Sequence, residues 1–154
     1  MTAKEYLMQL PELRRRYHRR AIELELLRAD LAPLRGISYD QAGGMLMPSS
    51  AARSEAMVDR IVDREAELAE EMRQLNDERT KIIRQIEALD DGRYGHLLFL
   101  RYVQELNLRE IAEQINYSYD WARQAHGRAL LVFAKKYGLD RKRTQKYTDK
   151  KNKR

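Results

Sequence analysis

Apolar residues recur at helical spacing along most of the chain, and no segment alternates convincingly as a strand would. From Val58 to Leu89 the spacing is strictly three-four over five heptads, and eight of the ten positions are apolar. Such a row is typical of a coiled-coil seam and predicts a long helix from about Ser54 to Leu89. Its members are Val58, Ile61, Glu65, Leu68, Met72, Leu75, Arg79, Ile82, Ile86 and Leu89.

A shorter apolar row runs through the first 34 residues and is broken by Arg20. Thr2 and Glu5 have the spacing of a capping box, so a helix is expected to start at Thr2. Pro11 either begins a second helical segment or kinks the first, and Gly36 is expected to end the helix. Together with the next long helix, this segment predicts an antiparallel hairpin over residues 1–90, to which a second copy of the chain can add.

Residues 36–53, between the two long helices, are expected to form a loop. Two glycines, Pro48 and the serines at 49 and 50 interrupt regular structure there. Residues 91–138 then carry the pattern of three shorter helices, expected at about 93–104, 108–115 and 119–137.

The last two of these helices have clear end signals. Asn107 and Ser118 each precede a helical pattern and belong to types favoured at the N-cap. Asn116 suits the left-handed backbone of a tight turn, and small Ala112 allows the second helix to cross close to the first. A short helix, a tight turn and a longer helix are the order of a DNA-binding helix-turn-helix.

The longer helix has an apolar and a polar face. We expect Ala122, Ala125, Ala129, Leu130 and Phe133 to be buried. The side chains opposite can reach bases and phosphates. The predicted DNA-binding residues are Asn107, Arg109, Ser118, Tyr119, Asp120, Trp121, Arg123, Gln124 and Arg128.

This stretch resembles region 4 of bacterial sigma factors, in Leu106–Ile115, Ser118, Arg123–Gln124 and Arg128–Leu130. That module binds a promoter element and the flap of RNA polymerase. The resemblance implies a recognition helix over residues 119–136 that lies in the major groove.

Nearly the whole chain is also similar to a family of short phage and prophage proteins, which are related in architecture to phage late-gene transcriptional regulators. The likeness rests on Lys4–Leu7, the Glu-rich second long helix, Tyr117–Trp121 and His126–Leu130. It implies an all-α protein with a coiled coil ahead of the helix-turn-helix.

The sigma resemblance also implies individual roles. Tyr119, Asp120 and Gln124 match positions that read base edges, while Arg123 and Arg128 match positions that contact phosphate or support the helix. The chemistry agrees, because Gln can pair with adenine, Asp can accept from a cytosine amino group, and a Tyr ring can touch a thymine methyl. The alternative is that these are ordinary exposed helix residues.

Two side chains in the recognition helix leave several interpretations open. Arg128 can equally pair with Glu105 or Glu110. Trp121 departs from the sigma pattern and can pack on DNA sugars, cover the turn or lie against the coiled coil.

The His126–Gly127 pair is unusual inside a helix, where Gly is about 1 kcal/mol less favourable than Ala. We expect Gly127 to permit close approach of the helix containing Leu97–Tyr102, and His126 to be exposed and not catalytic.

Charge is unevenly distributed within the net +6 of the chain. Residues 91–154 hold fifteen Lys/Arg against seven Asp/Glu, whereas residues 54–90 hold six against eleven. The basic half thus coincides with the predicted helix-turn-helix, as a phosphate-binding surface requires. Residues 139–154 form a basic tail with too little apolar surface to fold alone. The arginines at 14–16, 19 and 20 either pair with the acidic helix or supply a second nucleic-acid contact.

Composition argues against several other classes. The chain has no cysteine, which fits a reducing cytoplasm and excludes thiolate metal sites. The phage resemblance implies that this is the cytoplasm of a bacterial host. No apolar run approaches the roughly 20 residues needed to span a membrane, and no signal peptide is expected. The three histidines lie in separate contexts and no glycine-rich phosphate loop follows a strand, so we expect neither an enzyme nor a cofactor or metal site.

The sequence therefore predicts a DNA-binding transcriptional regulator of phage type that forms a dimer or larger homo-oligomer. Its partner would be double-stranded DNA, with RNA polymerase as a further possible partner. One alternative is a DNA-packaging protein like the small terminase subunits, although their DNA-binding unit usually comes first. Another is an interaction protein that binds RNA polymerase or sigma without DNA.

Overall fold

The computed structural model describes residues 1–36 and 48–139, and every element in those ranges is a helix. The all-α prediction is therefore confirmed for the described residues. The predicted tail from residue 140 and residues 37–47 of the predicted loop lie outside them. In chain order the helices are α1 (Ala3–Leu7), α2 (Gln9–Gly36), α3 (Pro48–Glu87), α4 (Gly92–Tyr102), α5 (Leu108–Ile115) and α6 (Tyr119–Tyr137).

The chain divides into two compact units. The terminal unit comprises Met1–Arg14 together with the chain from Glu78 onward, and the middle unit comprises Arg15–Asp77. This division differs from the boundary expected at residue 90. The first residues belong with the C-terminal helices because α1 packs against α6.

The start of the chain folds as its local signals predict. The Glu5 amide donates to Thr2 Oγ1 at 3.2 Å and the Thr2 amide to Glu5 Oε2 at 2.8 Å, which completes the capping box. A break at Met8 separates α1 from α2, so Pro11 lies in the first turn of α2. In that turn a missing N–H removes no intrahelical hydrogen bond. Pro11 therefore opens a second helical segment and does not kink the first.

The long helix α3 begins six residues before the predicted start at Ser54. The expectation that residues 48–53 belong to a loop is therefore wrong. Proline is favoured at the first helical position, where its fixed φ is already helical and its missing N–H is not needed. Pro48 thus begins a helix at a place where the sequence suggested an interruption.

In the middle unit, α2 and α3 face each other across a narrow apolar seam. Three ion pairs flank it: Arg20–Glu71 at 2.7 Å, Arg64–Glu23 at 2.8 Å and Arg28–Glu65 at 2.9 Å. From Arg20 to Arg28 on α2, the partner on α3 moves back from Glu71 to Glu65, so these stretches run antiparallel. The buried seam residues are Leu24, Leu31, Ile61, Leu68 and Leu75.

The terminal unit has a thicker core, to which residues from all six described helices contribute. Tyr6 of α1 lies 6.0 Å from Phe133 of α6 between ring centroids and donates its hydroxyl to Gln85 Oε1 at 2.7 Å. The Tyr137 hydroxyl contacts the same residue of α3 by donating to the Gln85 carbonyl oxygen at 2.8 Å. The largest side chains that are fully buried in this unit are Leu7, Leu10, Ile86, Leu97, Leu98, Leu100, Tyr102, Ile111 and Phe133.

Candidate nucleic-acid interface

The start of α5 is fixed by a complete capping box. Asn107 Oδ1 accepts from the amides of Arg109 and Glu110 at 3.0 and 2.9 Å. The Glu110 side chain accepts in return from the Asn107 amide at 2.7 Å. The predicted N-cap is confirmed, and both side chains are held by backbone groups that the helix itself leaves unpaired.

The turn between α5 and α6 takes the conformation expected from Asn116. That residue ends α5 in the left-handed region with φ 57° and ψ 42°. The next amide, that of Tyr117, donates back to the Ala112 carbonyl at 3.0 Å. Ser118 then caps α6 by accepting from the Trp121 amide at 3.1 Å. One hydrogen bond thus fixes the backbone at the end of α5, and another fixes it at the start of α6.

Small residues allow α6 to cross α5 closely. Ala122 and Ala129 are fully buried, and Ala125 is 4% exposed. On α5, Ala112 is also 4% exposed beside the fully buried Ile111. Leu130 and Phe133 complete the predicted buried face of α6, which is confirmed.

The opposite side of α6 is polar and open to solvent. Asp120 and Arg123 form an i,i+3 ion pair at 3.9 Å, with the Asp120 side chain 79% exposed. An exposed ion pair of this kind contributes little to stability. The predicted DNA-binding side chains of α6 that are exposed are Tyr119, Asp120, Arg123, Gln124 and Arg128.

Arg109 connects the starts of the two helices. Its guanidinium carbon lies 5.3 Å from the centroid of the Tyr119 ring, a cation–π distance. The structure therefore brings the predicted residue on α5 against the first predicted residue on α6. Tyr119 remains 44% exposed beneath it.

Trp121 covers the turn, which was one of the three positions left open by the sequence. Its ring stacks on Tyr117 with centroids 4.1 Å apart and planes 17° from parallel. Sequence reasoning did not single out Tyr117, although its i,i+4 spacing from Trp121 was a usable signal.

Arg128 pairs with neither of the two acids proposed for it. Glu105 forms an ion pair with Arg14, and Glu110 is held by the Asn107 amide. Among the described residues no ion pair involves Arg128, so its charge is available on the exposed face of α6.

The expectations that His126 is exposed and that Gly127 permits a close approach of α4 are wrong. His126 is half-buried and its Nε2 lies 3.0 Å from the Tyr102 hydroxyl. Burial, followed by the nearby charges of Arg101 and Lys4, lowers the pKa of His126 to about 4, while burial raises the pKa of Tyr102 to about 12. A Cβ on Gly127 would meet nothing within 4 Å. The glycine that permits close approach is Gly95, whose Cβ would lie 3.1 Å from the Ile86 carbonyl oxygen.

The arginine cluster on α2 has two kinds of partner. Arg14 pairs with Glu105 ahead of α5, and Arg20 pairs with Glu23 and Glu71. Arg20 thus follows the predicted pairing with the acidic long helix, whereas Arg14 pairs with Glu105.

The described residues contain no group of His, Cys, Asp and Glu side chains that could hold a metal ion. Within the same residues, no helix has the length and apolarity needed to cross a membrane. Comparison with family models, curated proteins and solved structures gave no match for the chain.

Proposed function

We propose that the chain is a sequence-specific, double-stranded-DNA-binding transcriptional regulator in which α5, the turn and α6 act as a helix-turn-helix. The observation that carries this proposal is the two-sided character of α6. One side is an alanine-rich crossing with α5, and the other exposes a continuous row of side chains able to contact DNA. A helix fixed at its start and polar on its outer face suits the major groove.

The exposed row contains both kinds of contact that a DNA reader needs. Gln124 can make two hydrogen bonds to adenine, Asp120 can accept from a cytosine amino group, and Tyr119 can pack on a thymine methyl. Arg123 and Arg128 supply charge for phosphates, which set register and affinity. The Arg109–Tyr119 contact restricts the Tyr119 ring before DNA arrives.

The antiparallel stretches of α2 and α3 support a hairpin that brings two copies together. Beyond the seam, α2 exposes Ile22 and Leu26 at 45% and 62%, and α3 exposes Val62 at 41%. We propose that a second chain covers these side chains, so that two recognition helices bind half-sites about one helical turn apart or a multiple of it. Light scattering at tens of micromolar tests this part, and a monomer mass would overturn it.

The basic segment Arg141–Arg154 lies outside the described residues and carries eight Lys/Arg against one Asp. We propose that it adds non-specific phosphate binding. Its deletion should weaken binding to every DNA sequence and flatten the dependence of log affinity on log salt. An unchanged salt slope would assign the segment to another partner.

The experiment that tests the proposed function is a genome-wide pull-down of DNA bound to the full chain. Peaks at promoters are expected. Peaks at a packaging site would favour a DNA-packaging protein, and co-purifying RNA polymerase without DNA peaks would favour a polymerase-binding protein. Either result would replace the regulator.

Base reading is tested by Gln124→Ala. On the DNA site found in the pull-down, this variant should lose about 1–3 kcal/mol of binding free energy, with little loss on scrambled DNA. Gln114→Ala is the matched control, because Gln114 is an exposed glutamine on α5 outside the proposed interface. Equal losses on the two DNAs would refute the assignment of Gln124.

A further inference from the structure

Next to the polar face of α6 lies an aromatic surface that major-groove reading does not use. Tyr117 is in the turn and Trp121 is one helical turn further on, with their rings stacked at 4.1 Å. Tyr117 is nevertheless 50% exposed. Because Trp121 covers one face of the Tyr117 ring, the exposure lies on the other face and the ring edge.

The backbone holds this ring pair in place without DNA. The Tyr117 amide is bonded to the Ala112 carbonyl, and the Trp121 amide to Ser118 Oγ. Trp121 is half-buried and therefore anchored, whereas Tyr117 presents a flat surface to solvent. Among the described residues, Trp121 is the single ring stacked on Tyr117. A ring fixed in this way loses little side-chain freedom when another flat group stacks on it.

Two exposed arginines lie on α4 and α5, the helices that precede the turn. At the start of α4, Arg93 pairs with Asp91 at 3.2 Å, and its pKa is raised mainly by that pair and to a smaller extent by the Tyr117 phenol. The Arg93 side chain is 72% exposed within this ion pair. Arg109 covers the neighbouring Tyr119 ring at 5.3 Å. An exposed aromatic face beside arginines is the combination that binds an unpaired base and its phosphates.

We propose that the Tyr117–Trp121 stack is a second nucleic-acid contact, on which an unpaired DNA base extends the stack while nearby arginines hold its phosphates. The inference rests on the proposed DNA-binding function and adds a preference for strands with unpaired bases. Stacking tolerates every base, because each base has a π face. This contact would therefore contribute affinity without sequence reading, and the reading of sequence stays with α6.

A fluorescence titration tests the contact directly, because Trp121 is the single tryptophan of the chain. The probe is a thymidine oligonucleotide of about twelve residues, a length within the site sizes of single-strand binders. Its control is an abasic oligonucleotide with the same number of phosphates. Thymidine should quench Trp121 and bind roughly 5- to 150-fold more tightly than the abasic strand, the range expected for one stacked base.

Two variants separate stacking from folding. Tyr117→Leu should abolish the advantage of thymidine over the abasic strand, and Tyr117→Phe, which keeps the ring, should retain it. Unchanged helical circular dichroism identifies both variants as folded. Equal affinity of the wild type for the two strands, or an undiminished thymidine advantage in Tyr117→Leu, would overturn the proposal.

The outcome is separable from that of the proposed function. Binding of blunt duplex that depends on Gln124, together with equal binding of the two single strands, would retain the regulator and reject the stacking site. Thymidine stacking with no preferred duplex would retain the stacking site and reject sequence-specific reading. Binding of neither form of DNA would reject both.

Discussion

The middle and terminal units bury their apolar residues in different ways. In the middle unit, two helices share a seam of single side chains, and arginine–carboxylate pairs lie along its edge. In the terminal unit, parts of all six described helices enclose aromatic and aliphatic side chains, with alanines where α5 and α6 cross. A helical sequence rich in charged residues thus forms both a two-helix seam and a closed multi-helix core.

The difference has consequences for what each unit can do. A narrow seam leaves most of each helix in solvent, so apolar residues such as Leu26 remain available to another molecule. Exposed ion pairs add little stability, but wrong pairings are unfavourable, so they help to fix register. A closed core instead gives α6 a rigid support, which the proposed base-reading surface requires.

The largest effect is expected at the centre of the terminal unit. Phe133 is fully buried and its ring contacts those of Tyr6 and Tyr137. Phe133→Ala should lower the free energy of unfolding by about 3–5 kcal/mol in urea denaturation. Leu131→Ala, in the same helix but 38% exposed, should change it by no more than about 0.5 kcal/mol. Similar losses in the two variants would show that the core is not centred on Phe133.

A smaller loss is expected in the seam of the middle unit. Leu68 is fully buried there, and Leu68→Ala should reduce stability by about 2–4 kcal/mol. Exposed neighbours can partly close the gap, which keeps the effect below that of Phe133→Ala. Val62→Ala, on the same helix at 41% exposure, is the control and should be nearly neutral. A Leu68→Ala loss larger than that of Phe133→Ala would reverse the comparison between the units.

Much of the terminal unit could be predicted because its signals are local. Both ends of α5 and the start of α6 follow from Asn107, Asn116 and Ser118, each of which has the predicted capping geometry. The alanines of α6 fall on one face by helical spacing alone. The exposed candidate residues then follow as the opposite face.

What could not be predicted depends on contacts between distant residues. Nothing near Tyr6 indicates that its ring meets Phe133 or that its hydroxyl meets Gln85. The burial of His126 could not be predicted, because its hydrogen-bond partner, the Tyr102 hydroxyl, lies on another helix. Gly127 and Gly95 look alike in sequence, and only the position of the Ile86 carbonyl distinguishes them.

The burial of His126 predicts a pH dependence that arises in the terminal unit. Its pKa is about 4 in the folded chain, against 6.5 as the ordinary value. Well above pH 6.5 the His126 imidazole is neutral in both the folded and the unfolded chain. As the pH falls below 6.5, the unfolded chain binds a proton at this residue, whereas the folded chain does so only near pH 4. The free energy of unfolding therefore decreases as the pH is lowered. Between pH 7 and 5 the loss should be about 2 kcal/mol.

His126→Gln removes this titration and should flatten the dependence of unfolding free energy on pH between 7 and 5. Paired carboxylates such as Glu70, whose pKa is lowered to about 2 chiefly by Arg73, act mainly below this range. His96→Gln is the matched control, because it removes an exposed histidine from α4. A pH profile of His126→Gln identical to the wild type would contradict the buried, neutral histidine.

The smallest effect compares two glycines of the terminal unit. An Ala side chain at Gly127 meets nothing within 4 Å, so Gly127→Ala should stabilise the chain by about 0.5–1 kcal/mol through reduced backbone entropy in the unfolded state. At Gly95 the same gain is opposed, because the new Cβ would lie 3.1 Å from the Ile86 carbonyl oxygen and the backbone must move apart. We therefore expect Gly95→Ala to be no more stable than the wild type in thermal and urea unfolding. Equal stabilisation by the two substitutions would show that the approach of α4 to the end of α3 is looser than this packing requires.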